Sequence, residues 1–188
     1  MIMSDELLAG VLGIIGTILG TIVGWLLNSL SQKGKLIVYV NNCSEEFSKL
    51  EIGCCVTCDS SEAEYYSCDL TADVYNSSRD TKIMRDIKLL FLDEKKLLFE
   101  AIPKDEYTRR KSQGGVSLID EVSVLNIKSK SVEDIKLHYG MTDSDDNWNS
   151  LKDVSVIQLS YYDEKNKRRK CNVLMRDKIV TRTKYRKR

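Results

Sequence analysis

The sequence predicts a mostly β protein: a single N-terminal transmembrane helix followed by an antiparallel β-sandwich or small β-barrel. Three observations predict it. Residues 7–27 run for 21 positions without a charge. From Lys35 onward, apolar residues alternate with polar ones at a period of two. The alternating segments are separated by clusters of turn-forming residues.

The helix comes first. The uncharged run holds 13 large apolar residues and five of the chain's ten glycines, and at 1.5 Å per residue it reaches about 31 Å, close to the roughly 30 Å hydrocarbon core of a bilayer. Five glycines would each cost a water-exposed helix on the order of 1 kcal/mol, whereas in lipid the backbone has no better alternative than helical hydrogen bonding. Trp25 suits the interfacial belt, and Asn28, Ser29 and Ser31 mark the exit into polar surroundings. A cleaved signal peptide would want a basic start, and the first six residues are Met-Ile-Met-Ser-Asp-Glu. The acidic flank before the run, with Lys33 and Lys35 after it, places the N-terminus outside and the body in the cytoplasm of a single-pass protein of the cell membrane. Gly13, Gly16, Gly20 and Gly24 form a stripe of small residues that predicts self-association of the helix, with Thr17 and Thr21 beside it to bond across.

The body follows at once. Leu36, Val38 and Val40 alternate with smaller or polar neighbours. Tyr66, Cys68, Leu70, Ala72 and Val74 share one face of a strand, and Ile87, Leu89 and Phe91 repeat the pattern. Val122 with Val124, Ile135 with Leu137, Val154 with Val156, and Val173 with Met175 continue it. Residues 155–162 and 168–175 read as a hairpin around 163–167, and 83–92 and 97–102 as another around 93–96. Seven to nine such strands make an Ig-like sandwich or a barrel. Helix is expected only over 104–111 and 131–134. The expected organisation is a short tail over 1–6, the transmembrane helix over 7–28, a linker over 29–35, the β domain over 36–176 and a basic tail over 177–188.

The formal net charge of +1 conceals an asymmetry. Residues 1–32 carry two acids and no Lys or Arg, residues 33–164 sum to −8, and residues 165–188 sum to +11. This arrangement excludes a plain cytosolic globule, a disordered chain and a disulfide miniprotein. Lys165, Lys167, Arg168, Arg169 and Lys170 cluster on one predicted hairpin, and Arg182, Lys184, Arg186, Lys187 and Arg188 on the C-terminal stretch. Near an anionic leaflet each contributes about 1 kcal/mol of attraction. The basic end is therefore expected to meet lipid headgroups, with a nucleotide or nucleic acid as the sharper alternative. Only Tyr161, Tyr162 and Tyr185 interleave it, which is thin for nucleic-acid recognition.

No catalytic motif emerges. Cys55-Val-Thr-Cys58 has the spacing of half a zinc site, but no second half accompanies it, and the six cysteines read as small apolar packing residues in a reducing compartment. His138, the only histidine, sits in a strand with neither nucleophile nor carboxylate beside it in sequence. Asp143, Asp145, Asp146 and Asn147 lack the glycine and distal glutamate of a calcium loop. No phosphate-binding loop is present. The expectation is a protein without enzymatic activity, metal or cofactor.

The layout of apolar helix and compact β body resembles that of small membrane-anchored β-sandwich proteins of bacteria. More distantly it resembles the membrane effectors of anti-phage signalling, in which a transmembrane segment carries a β-barrel sensing a cyclic nucleotide. The likeness covers most of the chain and lies in the order of elements, with one span where those effectors usually have two. It implies no particular site residue. Two expectations follow: a membrane-anchored interaction module that self-associates and meets a protein partner, or a membrane-disrupting effector whose β body binds an anionic nucleotide.

Overall fold

The computed structural model describes residues 5–32, 34–112 and 117–176. Helix α1 spans Asp5–Gln32. None of its apolar portion, Ala9–Leu30, is buried among the described residues. A Cβ placed at Gly10, Gly13, Gly16, Gly20 or Gly24 would meet no atom within 4 Å, so no packing within the chain requires glycine there. The two threonines do not reach outward for a partner. Thr17 donates to Gly13 O at 2.9 Å and Thr21 to Thr17 O at 2.8 Å, each back-bonding to its own helix.

Two antiparallel sheets form the body, which is a sandwich. The first contains β1 (Leu36–Glu51), β2 (Cys54–Thr57), β3 (Tyr65–Asn76), β6 (Lys104–Asp105) and β10 (Val132–Thr142), in the spatial order β2-β1-β3-β10-β6. The second contains β4 (Lys82–Asp93), β5 (Lys96–Ala101), β11 (Val156–Tyr162) and β12 (Arg168–Met175), in the order β12-β11-β4-β5, with β9 (Leu125–Ile127) on the first residues of β4. A ribbon of β7 (Arg110–Lys111) and β8 (Ser117–Leu118) stands apart. Both expected hairpins are present, β4–β5 and β11–β12.

The core lies between the sheets. On β3 the alternation holds as read: Tyr66, Cys68, Leu70, Ala72 and Val74 are buried. Across from them Ile87, Leu89 and Phe91 of β4 pack with Ile157 and Leu159 of β11. Phe91 stacks on Phe99 with ring centroids 4.4 Å apart. Of the register shifts in the two sheets, two bear on which side chains of β1 and β4 face inward. On β1 the register shifts between Val40 and Asn42, so Val38 and Val40 pack inward before the bulge, Cys43 and Phe47 after it. On β4 Asp86 adopts φ +48 and interrupts the ladder, which puts Met84 in the core although it breaks parity with Ile87.

Several expectations are corrected. Residues 131–134 are not helical: Val132, Glu133 and Asp134 pair with Tyr75, Val74 and Asp73, because the sheet ladder satisfies more backbone groups than one isolated turn. Within 104–111 only Glu106–Thr108 forms a 3-10 turn, between β6 and β7. Val122 and Val124 lie outside any strand, and Val154 caps a second 3-10 turn, Trp148–Asp153.

At the end of the body nearest α1, Asn76 ties the turn after β3 to the turn after β9. Its Nδ2 donates to Asp80 O at 2.7 Å, Ile127 O at 2.9 Å and Lys128 O at 3.0 Å. Its Oδ1 accepts from Ser78 N at 2.9 Å and Ser78 Oγ at 2.6 Å. The residue is fully buried. Asn76→Ala removes five hydrogen bonds; Asp80 O keeps the Ser78 hydroxyl and Lys128 O keeps Ser131, while a buried group that loses its partner costs about 1–3 kcal/mol. The expected loss is about 3 kcal/mol, read as a lower denaturant midpoint of the full chain in detergent.

Candidate functional site at the helix–body junction

The β strands that run toward α1 end where the helix leaves its apolar stretch, and the turns there clamp the connection. Ser77 N donates to Lys35 O at 3.1 Å, and the Ser77 hydroxyl lies 2.9 Å from both Lys35 N and Lys35 O. Arg79 reaches back to the Asn28 side chain at 3.4 Å. Gly34 is pressed against the same turn: a Cβ on it would fall 2.2 Å from Ser78 N and 2.3 Å from Ser77 C. Only glycine fits against backbone at that distance.

Between this clamp and the β11–β12 hairpin lies a cleft of about 650 Å³. Ser29 of α1, Lys35, Lys82, Tyr161, Lys165 and Arg169 contribute to its walls. The hairpin is braced by its own hydrogen bonds. Asp163 N donates to Lys167 O and Asn166 N to Asp163 O, both at 3.0 Å, and Asn166 takes φ +58, a conformation Asn tolerates. The Asp163 carboxylate accepts from Lys165 N at 3.0 Å, Lys167 N at 2.9 Å and Arg169 Nε at 2.9 Å. Burial works to raise its pKa, but these donors prevail and hold it below the usual carboxylate range. Glu164 is likewise lowered, burial being outweighed by its ion pair with Lys82. Tyr161, 5 % exposed, has its hydroxyl pushed up to about 12 by burial, and so remains a donor at neutral pH.

The basic residues read from the sequence do not form one patch. Arg168 lies on the outer face of the second sheet, where it donates to Glu100 at 2.6 Å and Ser160 Oγ at 2.8 Å, and Lys88 completes a row across four strands. Arg169 turns to the cleft and pairs with Asp163. Lys165, Lys167 and Lys170 are exposed and make no ion pair among the described residues. Arg182, Lys184, Arg186, Lys187 and Arg188 lie outside the described residues. Arg176 is part of the body: it forks onto Glu45 of β1, which also accepts from Tyr66 Oη at 2.5 Å, and donates to Leu151 O at 2.7 Å.

His138 has a carboxylate beside it after all. The register of β10 on β3 sets it opposite Asp69, with Nδ1 2.8 Å from Oδ1. Ser44 pairs with Asp69 from the other side, so the carboxylate separates serine from histidine, the wrong order for nucleophile activation. Cys68 is buried with its sulfur 3.9 Å from Cys43, while Cys54 and Cys55 are exposed near the tip of the β1–β2 hairpin. The cleft itself escaped sequence reading. Lys35, Tyr161 and Lys165 stand out individually as flank, aromatic and cluster members, but their meeting depends on the Gly34 contact, which no local pattern reveals.

Two outcomes are expected. Gly34→Ala forces the helix exit away from Ser77 and Ser78, so amide exchange at Lys35 and Ser77 accelerates by at least tenfold while that of Leu89 is unchanged. Glu100 is held below the usual carboxylate range chiefly by Arg168, with Lys88 adding to it. Its contribution is thus complete above the ordinary carboxylate value of about 4.3 and is lost as pH falls below that. Glu100→Gln is expected to cost about 1 kcal/mol at pH 7 and to flatten the decline of the denaturation midpoint between about pH 5 and 3.

No curated protein matches the sequence. One family model does, the YopI Ig-like domain, over residues 34–174. The matched segment begins at Gly34, where the clamp begins, and ends in β12; it takes in three quarters of the chain and leaves out α1. The chain therefore belongs to the YopI Ig-like domain family.

Proposed function

We propose that the protein is a non-enzymatic, single-pass membrane-anchored interaction module, its N-terminus outside the cell and its Ig-like body held against the cytoplasmic face of the membrane. The observation that carries this reading is the uncovered helix fixed to the body. Twelve large apolar side chains between Val11 and Leu30 are exposed. At about 1.5–3 kcal/mol per side chain, leaving them in water forgoes roughly 20 kcal/mol or more, which a bilayer recovers. Lys35, which follows the span, and the lysines of the β11–β12 hairpin lie at the same end, suiting an anionic inner leaflet.

The helix self-associates through Gly13, Gly16, Gly20 and Gly24, whose uncovered faces allow close backbone approach. The far end of the body faces the cytoplasm and meets a protein partner there. At its tip, the two-residue turn between β1 and β2 puts Ile52 at φ +50 with its side chain fully exposed, where Asn or Gly would be less strained. Leu50 and Val56 are exposed beside it.

The cleft's volume suits a nucleotide as well, and that one observation favours a second reading, the membrane-disrupting effector. Expression in bacteria separates the two. The module remains in membranes after alkaline carbonate washing, carries an inactive C-terminal phosphatase fusion, and leaves growth and dye exclusion unchanged. Growth arrest with dye entry that Gly20→Leu abolishes would establish the effector instead. In either case Gly20→Leu is expected to weaken helix self-association at least tenfold in a two-hybrid membrane assay. A carbonate-soluble protein would contradict both readings.

A further inference from the structure

We infer that the junction cleft is a lipid headgroup site that takes the phosphodiester of an anionic phospholipid, with Lys35 and Lys165 neutralising the phosphate and the Tyr161 hydroxyl donating to it. The inference rests on the membrane-anchored reading above. Four observations carry it. Tyr161 is 5 % exposed and lines the cleft, yet its hydroxyl bonds to no group among the described residues. The ring is buried while the hydroxyl is not sealed from solvent, so its proton is open to an occupant of the cleft.

Second, Lys82 is paired with Glu164 and Arg169 with Asp163, whereas Lys35 and Lys165 make no ion pair among the described residues. Third, the cleft walls carry four basic and three acidic side chains, a net charge of +1. One phosphodiester matches that charge. A phosphomonoester or nucleoside triphosphate brings two or more negative charges beside Asp80, Asp163 and Glu164, leaving charge uncompensated.

Fourth, Ser29 sits in the cleft wall one position before Leu30, where the apolar portion of α1 ends. The cleft thus opens at the depth where headgroups lie and where their local concentration is highest. The Gly34 contact fixes its shape, so little ordering is required on binding.

The test uses the full chain in nanodiscs of phosphatidylcholine with a minor share of phosphatidylglycerol, followed by native mass spectrometry of lipids retained on release. The expected result is one phosphatidylglycerol per chain, preferred over phosphatidylcholine by at least tenfold. Tyr161→Phe removes no charge and no hydrogen bond among the described residues, so it should melt like the parent yet retain about tenfold less phosphatidylglycerol, the worth of one hydrogen bond to a charged group. Lys35→Gln with Lys165→Gln should do the same, and Lys167→Gln with Lys170→Gln, outside the cleft, should not.

Retention unchanged in Tyr161→Phe, or equal loss in both lysine pairs, would overturn the site in favour of general electrostatics. Displacement of the lipid by ATP or inorganic phosphate would overturn it in favour of a soluble anion. A chain that enters nanodiscs without any lipid preference defeats the headgroup site alone. A chain that fails to enter them defeats the anchoring reading with it.

Discussion

The buried side chain of Asn76 is the interaction on which the end of the body nearest α1 depends. Two N–H protons serve three carbonyls, and one carbonyl oxygen serves two Ser78 donors. An apolar residue there would remove all five bonds, leaving Asp80 O only the Ser78 hydroxyl and Lys128 O only Ser131, and an aspartate would set a carboxylate against carbonyl oxygens. Because Asn76 holds the turn containing Ser77 and Ser78, it also fixes the surface on which Gly34 and Lys35 rest. The path from one amide side chain to the pose of a 28-residue helix is therefore short and consists of hydrogen bonds and one steric contact.

The far end is secured differently. Arg176, just past β12, forks onto Glu45 of β1, bridging the two sheets at an edge where no strand pairing joins them. Glu45 accepts in addition from Tyr66, whose hydroxyl burial holds strongly protonated. Such a pair stabilises little relative to an apolar replacement, but removing one member leaves a charge buried without its partner. Its place in the fold is to fix which edges meet. Asn76 thus ties its end of the sandwich through neutral hydrogen bonds, and Arg176 ties the other through charge.

Much of this was legible in the sequence where a residue's neighbours in the chain decide its environment. The uncharged run of α1 and the strict alternation of Tyr66 to Val74 are of that kind. The turns around 93–96 and 163–167 also declared themselves through composition. Bulges were not legible: at β1 and at Asp86 one extra residue reverses parity, so Cys43, Phe47 and Met84 enter the core against the local pattern. Nor was charge pairing. The basic run of the hairpin reads as one patch, yet alternate residues face opposite sides of a strand, sending Arg168 to Glu100 and Arg169 to Asp163. Arg176 counts toward the basic end by composition while serving the interior. The cleft depends on the helix exit, a β-turn and a hairpin more than 80 residues apart, which only the folded chain brings together.

The central claim is that α1 and the body form one unit with the β11–β12 hairpin at the headgroup level and the β1–β2 hairpin far from it. Strand β1 has 16 residues, which at 3.3 Å each separates the two ends by about 50 Å. The direct measurement places a nitroxide at position 166 or 52 of the full chain in bilayers and records its relaxation by a paramagnetic chelate attached to lipid headgroups. The account predicts strong relaxation at 166 and none above background at 52. Equal relaxation at both positions, or the reverse order, would contradict it.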